Sequence, residues 1–269
     1  LPKEYLPGET PEQRKQRLRK LKGWSKNPQP IPAPVVKSTP KSTPRQVSNN
    51  TLQRSTPPKR IEEITKQTTH PSKKVAFVLG NGTSRASIDP ESLLGKGTIY
   101  GCNALFRTFS PHYLIAVDTK MIKEISTAGY QLKNSVWTNP NKYTREISGL
   151  NLFSPNLGWS SGPTALNFAS LNGAETIYIL GFDYRGLGKK NELVNNLYAG
   201  TVNYKQQHDR ATYFGNWQRQ TSMVIKRNPR TRYIRVVEKA EYFVPENLIG
   251  LENLEHQTIF KFKQNLGIS

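Results

Sequence analysis

Cysteine is nearly absent. Cys102 stands alone in 269 residues, which excludes an internal disulfide framework and any Cys-rich zinc site. Acidic residues are scarce, 19 against 39 Lys and Arg, leaving a formal charge of +20. Apolar residues make up only 35% of the chain, below the roughly 45–50% of an average globular protein. No run approaches the ~18 apolar residues that cross a bilayer, so the chain reads as soluble, with no membrane partner. The opening residues are polar and broken by proline, which is not the pattern of a signal peptide.

What is present is unevenly spread. About 12 of the 19 prolines and about half the net charge precede residue 72. That stretch holds too few branched or aromatic residues to offset the ~1–2 kcal/mol per residue that ordering a backbone costs. Residues 1–72 are therefore expected to form a long extended basic arm, and residues 73–269 a globular body. Within the arm, Thr10-Pro11-Glu12-Gln13 has the form of a helix start, with Thr as cap, Pro at the first helical position and Gln closing a capping box. A short basic helix is predicted near 10–23, with Leu18, Leu21 and Trp24 as a narrow apolar stripe. The alternate prolines of 28–34 favour polyproline II, and Lys37-Ser38-Thr39-Pro40 repeats as Lys41-Ser42-Thr43-Pro44.

Such an arm suits a tether docking on something acidic: a protein surface, an assembly, or nucleic acid contacted without sequence preference. A solvated linker is the plain alternative. No stacking platform or recognition motif accompanies the charge, so base-specific reading is not expected. The apolar stripe is too thin for a membrane-surface helix.

In the body, Val75–Gly80, Thr98–Cys102, Tyr113–Val117, Ser135–Thr138, Thr176–Gly181 and Arg232–Val237 are short apolar runs of the kind that form strands buried on both faces. Helical segments fall between them, near 119–129, 161–172 and 215–228. The alternation predicts an α/β body, Rossmann-like, with a mainly parallel sheet and helices on both faces. Sheets of this kind bind ligands beyond the carboxyl ends of their strands, so the residues just after each strand are the candidates.

The first strand is followed by Gly80-Asn81-Gly82-Thr83-Ser84, a tight turn rich in N–H and hydroxyl donors that suits a phosphate. The motif is not a dinucleotide fingerprint, since Ala86, the nearest small residue to the third glycine position, falls one place late. It is not a P-loop either, for lack of a Gly-Lys-Ser/Thr ending. Asn103 follows the second strand, Asp118 the third, and Gly181-Phe182-Asp183-Tyr184 the fifth. Trp159-Ser160-Ser161-Gly162-Pro163 opens the strongest helix and sets hydroxyls at its positive end. Each has a plainer role open to it: Asn and Asp hold turns, Ser caps helices, and Asp183 can simply fix a loop.

Taken together, Leu79-Gly80-Asn81-Gly82-Thr83-Ser84, Gly101-Cys102-Asn103, and Ser160-Ser161-Gly162 running through Asn167-Phe168-Ala169 to Ile179–Tyr184 resemble glycosyltransferase family 42 sialyltransferases. They also resemble the related DUF115-like proteins, which include hydroxymethylpterin diphosphokinase-like enzymes, and the resemblance extends to proteins encoded by tailed bacteriophages. The order and approximate spacing agree over residues 74–237. The resemblance implies a nucleotide-sugar site, for a CMP-sugar foremost, built from Asn81, Gly82, Thr83, Ser84, Asn103, Ser160, Ser161 and Gly162, with Asp183 at the family's strand end. It implies a location in the cytoplasm of a host cell, or in a virion.

The departures are as informative. Those sialyltransferases carry a catalytic His in a Tyr-x-Gly-His context, and here the stretch is Tyr213-Phe214-Gly215-Asn216. An amide does not accept a proton at neutral pH, so Asn216 would not replace the base. His208, beside Asp209, stands upstream as the substitute, and a loop histidine is its plainer reading. The catalytic candidates are thus His208, Asn216 and Asp183. No Asp-x-Asp motif is present, so no metal-bridged diphosphate, resident metal or other cofactor is expected. The alternative to a transferase is a structural or accessory component of a large assembly, built on the same fold with its chemistry lost.

Overall fold

A computed structural model describes Gln13, residues 75–240 and residues 242–268. The arm helix expected near 10–23 lies outside these apart from Gln13, as do the rest of the arm and its repeats.

Eight strands form one sheet: β1 (Val75–Leu79), β2 (Thr98–Cys102), β3 (Tyr113–Ile115), β4 (Val136–Thr138), β5 (Leu150–Leu152), β6 (Thr176–Leu180), β7 (Arg232–Val237) and β8 (Leu254–Thr258). Their order is β5-β4-β3-β2-β1-β6-β7-β8, and every neighbouring pair is parallel. The fold is α/β and Rossmann-like, as the alternation of runs and helices predicts. From β1 the chain builds outward through β2 to β5, then returns to place β6 on the other side of β1. The order therefore reverses between β1 and β6, where Leu79 pairs with Leu180. The chain leaves these two strands toward opposite halves of the sheet, the arrangement beyond whose carboxyl ends a crevice is expected.

Alternation along the strands sorts the core into two layers. Ala76, Val78, Ile177 and Ile179 face one side, packed with Ala165, Leu166 and Ala169 of α3 (Ser161–Leu171) and Val224 and Ile225 of α4 (Gly215–Arg227). Phe77, Leu79 and Leu180 face the other, against Ile259 and Phe262 of α5 (Ile259–Leu266). On that same side Leu114 and Val136 meet Met121, Ile122 and Ile125 of α1 (Thr119–Thr127). The short α2 (Lys142–Arg145) is closed by an Asn141–Thr144 capping box. Small residues on α3 let it approach the middle of the sheet closely, which brings its first turn to the crevice.

Candidate functional site

The crevice is an open cleft of about 910 Å³ at the carboxyl ends of β1, β2, β3 and β6. Gly80, Asn81, Gly82, Asn103, Asp118, Ser160, Ser161, Gly162 and Asp183 all line it. Sequence segments up to about a hundred residues apart therefore meet at one rim.

Hydrogen bonds fix this meeting. Ser161 Oγ donates to Asn103 Oδ1 at 2.8 Å and accepts the Val117 backbone N–H at 3.1 Å, so one hydroxyl ties α3 to the ends of β2 and β3. Asn103 is held in the left-handed region at φ 52°, a strained position for a residue other than glycine and of a kind that clusters at functional sites. Asn81 Nδ2 donates to the Tyr204 hydroxyl at 3.0 Å, while Asn81 Oδ1 is buried without a partner. A buried acceptor left open in this way costs free energy.

The glycine turn itself works differently from the phosphate cradle its sequence suggests. Gly82 N–H donates to Gly181 O at 2.9 Å, and Gly80 N–H to Leu180 O at 2.8 Å. Thr83 gives both its N–H (2.9 Å) and its hydroxyl (2.7 Å) to Asn195 Oδ1, and Ser84 gives its N–H (3.1 Å) and hydroxyl to the Asp183 carboxylate. Those donors are spent within the protein. Thr83 and Ser84, expected to bind the ligand, do not line this cleft; they border a smaller hollow with Arg235 and Tyr242. Asp183 does line it, but its carboxylate holds the turn, so the plainer reading of that residue is the structural one. Both of its oxygens accept from Ser84, which fixes the carboxylate against the turn.

The other two catalytic candidates lie elsewhere. His208 is exposed on the loop before α4, and neither it nor Asn216 lines the cleft. Asn216 is turned out in the first turn of α4, where its Oδ1 accepts from Arg219 at 3.2 Å. Trp217, one residue on and so about 100° around the helix, faces the cleft together with Phe214.

Several lining residues come from the long segment between β6 and α4, which gives no strand or helix signal in the sequence: Arg185, Asn195, Asn196, Asn203, Tyr204 and Lys205. Leu197 N–H donates to Asn81 O at 2.8 Å, docking this segment on the glycine turn. Arg107 latches it from below. Its guanidinium pairs with Glu124 at 2.6 Å, donates to Thr201 and Val202, and lies near the rings of Tyr198 and Tyr204. Glu124 also accepts from Asn203 at 2.7 Å. Burial raises the Tyr204 phenol well above its ordinary range, so it stays a neutral hydrogen-bonding partner for Asn81.

The Arg107 hydrogen bond holds the Glu124 carboxyl below its usual range. Because the folded value is the lower one, the latch contributes fully above the ordinary carboxylate range and is lost as pH falls through the lowered value. Arg107→Ala is expected to speed amide exchange over residues 197–204 at least tenfold at neutral pH, leaving β1 and β6 unchanged. The same segment in the unaltered protein should loosen only in acid. Equal exchange in the two proteins would show that the latch does not hold the loop.

On the floor, burial pushes the Cys102 thiol up to about 12, so it is protonated at neutral pH and not a nucleophile. Arg85 is only 5% exposed and donates to Gly80 O beneath the turn. Among the described residues no three His, Cys, Asp or Glu side chains come together as a metal site would require. Compared with protein-family models, curated proteins and solved structures, the chain matches none.

Proposed function

We propose that this chain is a glycosyltransferase-like protein that binds a nucleotide sugar, a CMP-sugar foremost, in the cleft where the strand order reverses. The observation that carries this is the Ser161–Asn103 bond, which joins two separate sequence motifs at the edge of the cleft that a third, Asn81, also lines. The cleft's volume lies in the ~300–1,000 Å³ range of small-molecule sites. Lys120, Arg185 and Lys205 supply cations for a phosphate, while Trp159, Phe214 and Trp217 offer aromatic faces for a base or sugar. The basic arm, residues 1–72, tethers the chain to an acidic partner, with nucleic acid as the sequence-independent form of that contact.

A titration with CMP, UDP and their sugars tests the reading. A bound nucleotide at about 100 times its Kd stabilises by ~2.7 kcal/mol, which for a body of this size raises the melting temperature by roughly 5–10 °C. No shift with any of them at millimolar concentration would set the reading aside. A second reading, an accessory component of an assembly with transfer chemistry lost, draws on the lack of a histidine among the cleft-lining residues. It allows nucleotide binding without turnover.

A further inference from the structure

We infer that Asp118 is the group that takes the acceptor's proton, an inference that rests on the nucleotide-sugar reading of the cleft. Among the described residues two carboxylates line the cleft, Asp118 and Asp183. Asp183 is committed to Ser84 through both oxygens. Asp118 is uncommitted. It occupies the cap position of α1, where an Asp side chain usually accepts a backbone N–H from the first turn. Its backbone carbonyl accepts from Ile122 N–H at 3.0 Å, but its carboxylate makes no capping bond and no other hydrogen bond or ion pair among the described residues. Its side chain is exposed and lines the cleft.

Its position is nevertheless set. The preceding residue, Val117, donates its N–H to Ser161 Oγ, the hydroxyl that also orients Asn103. The carboxylate is thus carried at the end of β3 by the network that builds the polar rim. A base must reach the proton it removes, and of the two carboxylates lining the cleft only this one has no donor already bound to it among the described residues.

In the step assigned to it, an acceptor hydroxyl or water oxygen attacks the anomeric carbon and forms the new C–O bond. The bond from that carbon to the phosphate oxygen breaks, and its electron pair leaves with the nucleoside monophosphate. The hydroxyl proton passes to Asp118. No electron is gained or lost, and no further reagent is needed.

The test uses the full chain, with CMP as the binding probe and release of CMP from CMP-N-acetylneuraminate, water or lactose as acceptor, as the readout. Asp118→Asn is expected to keep its melting temperature and to bind CMP within about twofold of the unaltered protein. Its CMP release should fall about 100-fold or more, the contribution of general acid–base catalysis. Added formate should restore part of the rate in Asp118→Ala. Three results overturn the inference: a rate within threefold in Asp118→Asn, a loss of CMP affinity that accounts for the loss of rate, or CMP binding without any release by the unaltered protein. Failure of the unaltered protein to bind any nucleotide would instead remove the reading beneath it.

Discussion

Gly82→Ala should lower the melting temperature by roughly 6–12 °C, the shift that ~3 kcal/mol of overpacking gives in a body of this size. The backbone at Gly82 is extended, with φ −65°, so any residue could adopt it. The obstacle is space. An alanine Cβ there would stand 2.6 Å from the Asp183 carboxyl and 2.7 Å from Gly181 O. Neither can withdraw cheaply, because Asp183 is pinned by Ser84 and Gly181 accepts the Gly82 N–H. Gly181, at φ 69°, has its own Cβ position 2.8 Å from Gly80 O. The glycines on either side of the reversal let two strand ends touch backbone to backbone. A phosphate cradle would behave otherwise: alanine would weaken nucleotide binding and leave the melting temperature unchanged. That pattern would overturn the packing explanation.

Arg235→Met is the second large effect, about 3 kcal/mol, as expected for breaking a buried charged network. Arg235 sits on β7 at 4% exposure and forms no ion pair with a carboxylate among the described residues. Its Nε donates to Phe182 O at 2.9 Å, one terminal nitrogen to Phe243 O at 2.7 Å, and the other to Asp183 O at 3.3 Å. The guanidinium also lies 5.2 Å from the centre of the Tyr184 ring. Burial pulls its pKa below the usual value, and the neighbouring Tyr184 and Asp183 oppose that fall. Methionine fills similar space but leaves three carbonyls without a donor. Since Phe182 and Asp183 wall the cleft, nucleotide affinity should fall with stability. Lysine, a point charge without the planar fork, should recover only part of the loss. A melting temperature within a degree of the unaltered protein would show that these carbonyls find other donors.

The core of this fold is legible because its strands are buried on both faces and read as continuous apolar runs. Three helices fall within a residue or two of their expected ends for the related reason that turn residues bound them. The unforeseen elements lack that signature. Strand β5 is only Leu150–Leu152, and β8, Leu-Glu-His-Gln-Thr, is a half-exposed edge strand with no apolar run. The meeting of Asn81, Asn103 and Ser161 follows from the rule about carboxyl ends once the sheet is known to be parallel. What each polar group does there does not follow. Thr83 and Ser84 look like ligand donors until their partners Asn195 and Asp183 are seen, more than ninety residues away. Tyr204 and the groups that Arg107 latches belong to a segment of short local turns that is docked on the body by tertiary contacts. Asn216 illustrates the cost of aligning by motif: one step along a helix separates the outward amide from the inward Trp217.

Amide hydrogen exchange with and without saturating CMP measures directly whether the cleft at the strand reversal holds a nucleotide. Slower exchange is expected at 102–104, 117–121, 158–162 and 194–205, with β8 and α5 unaffected. Protection confined to β8, α5 or the arm, or none at all, would contradict it.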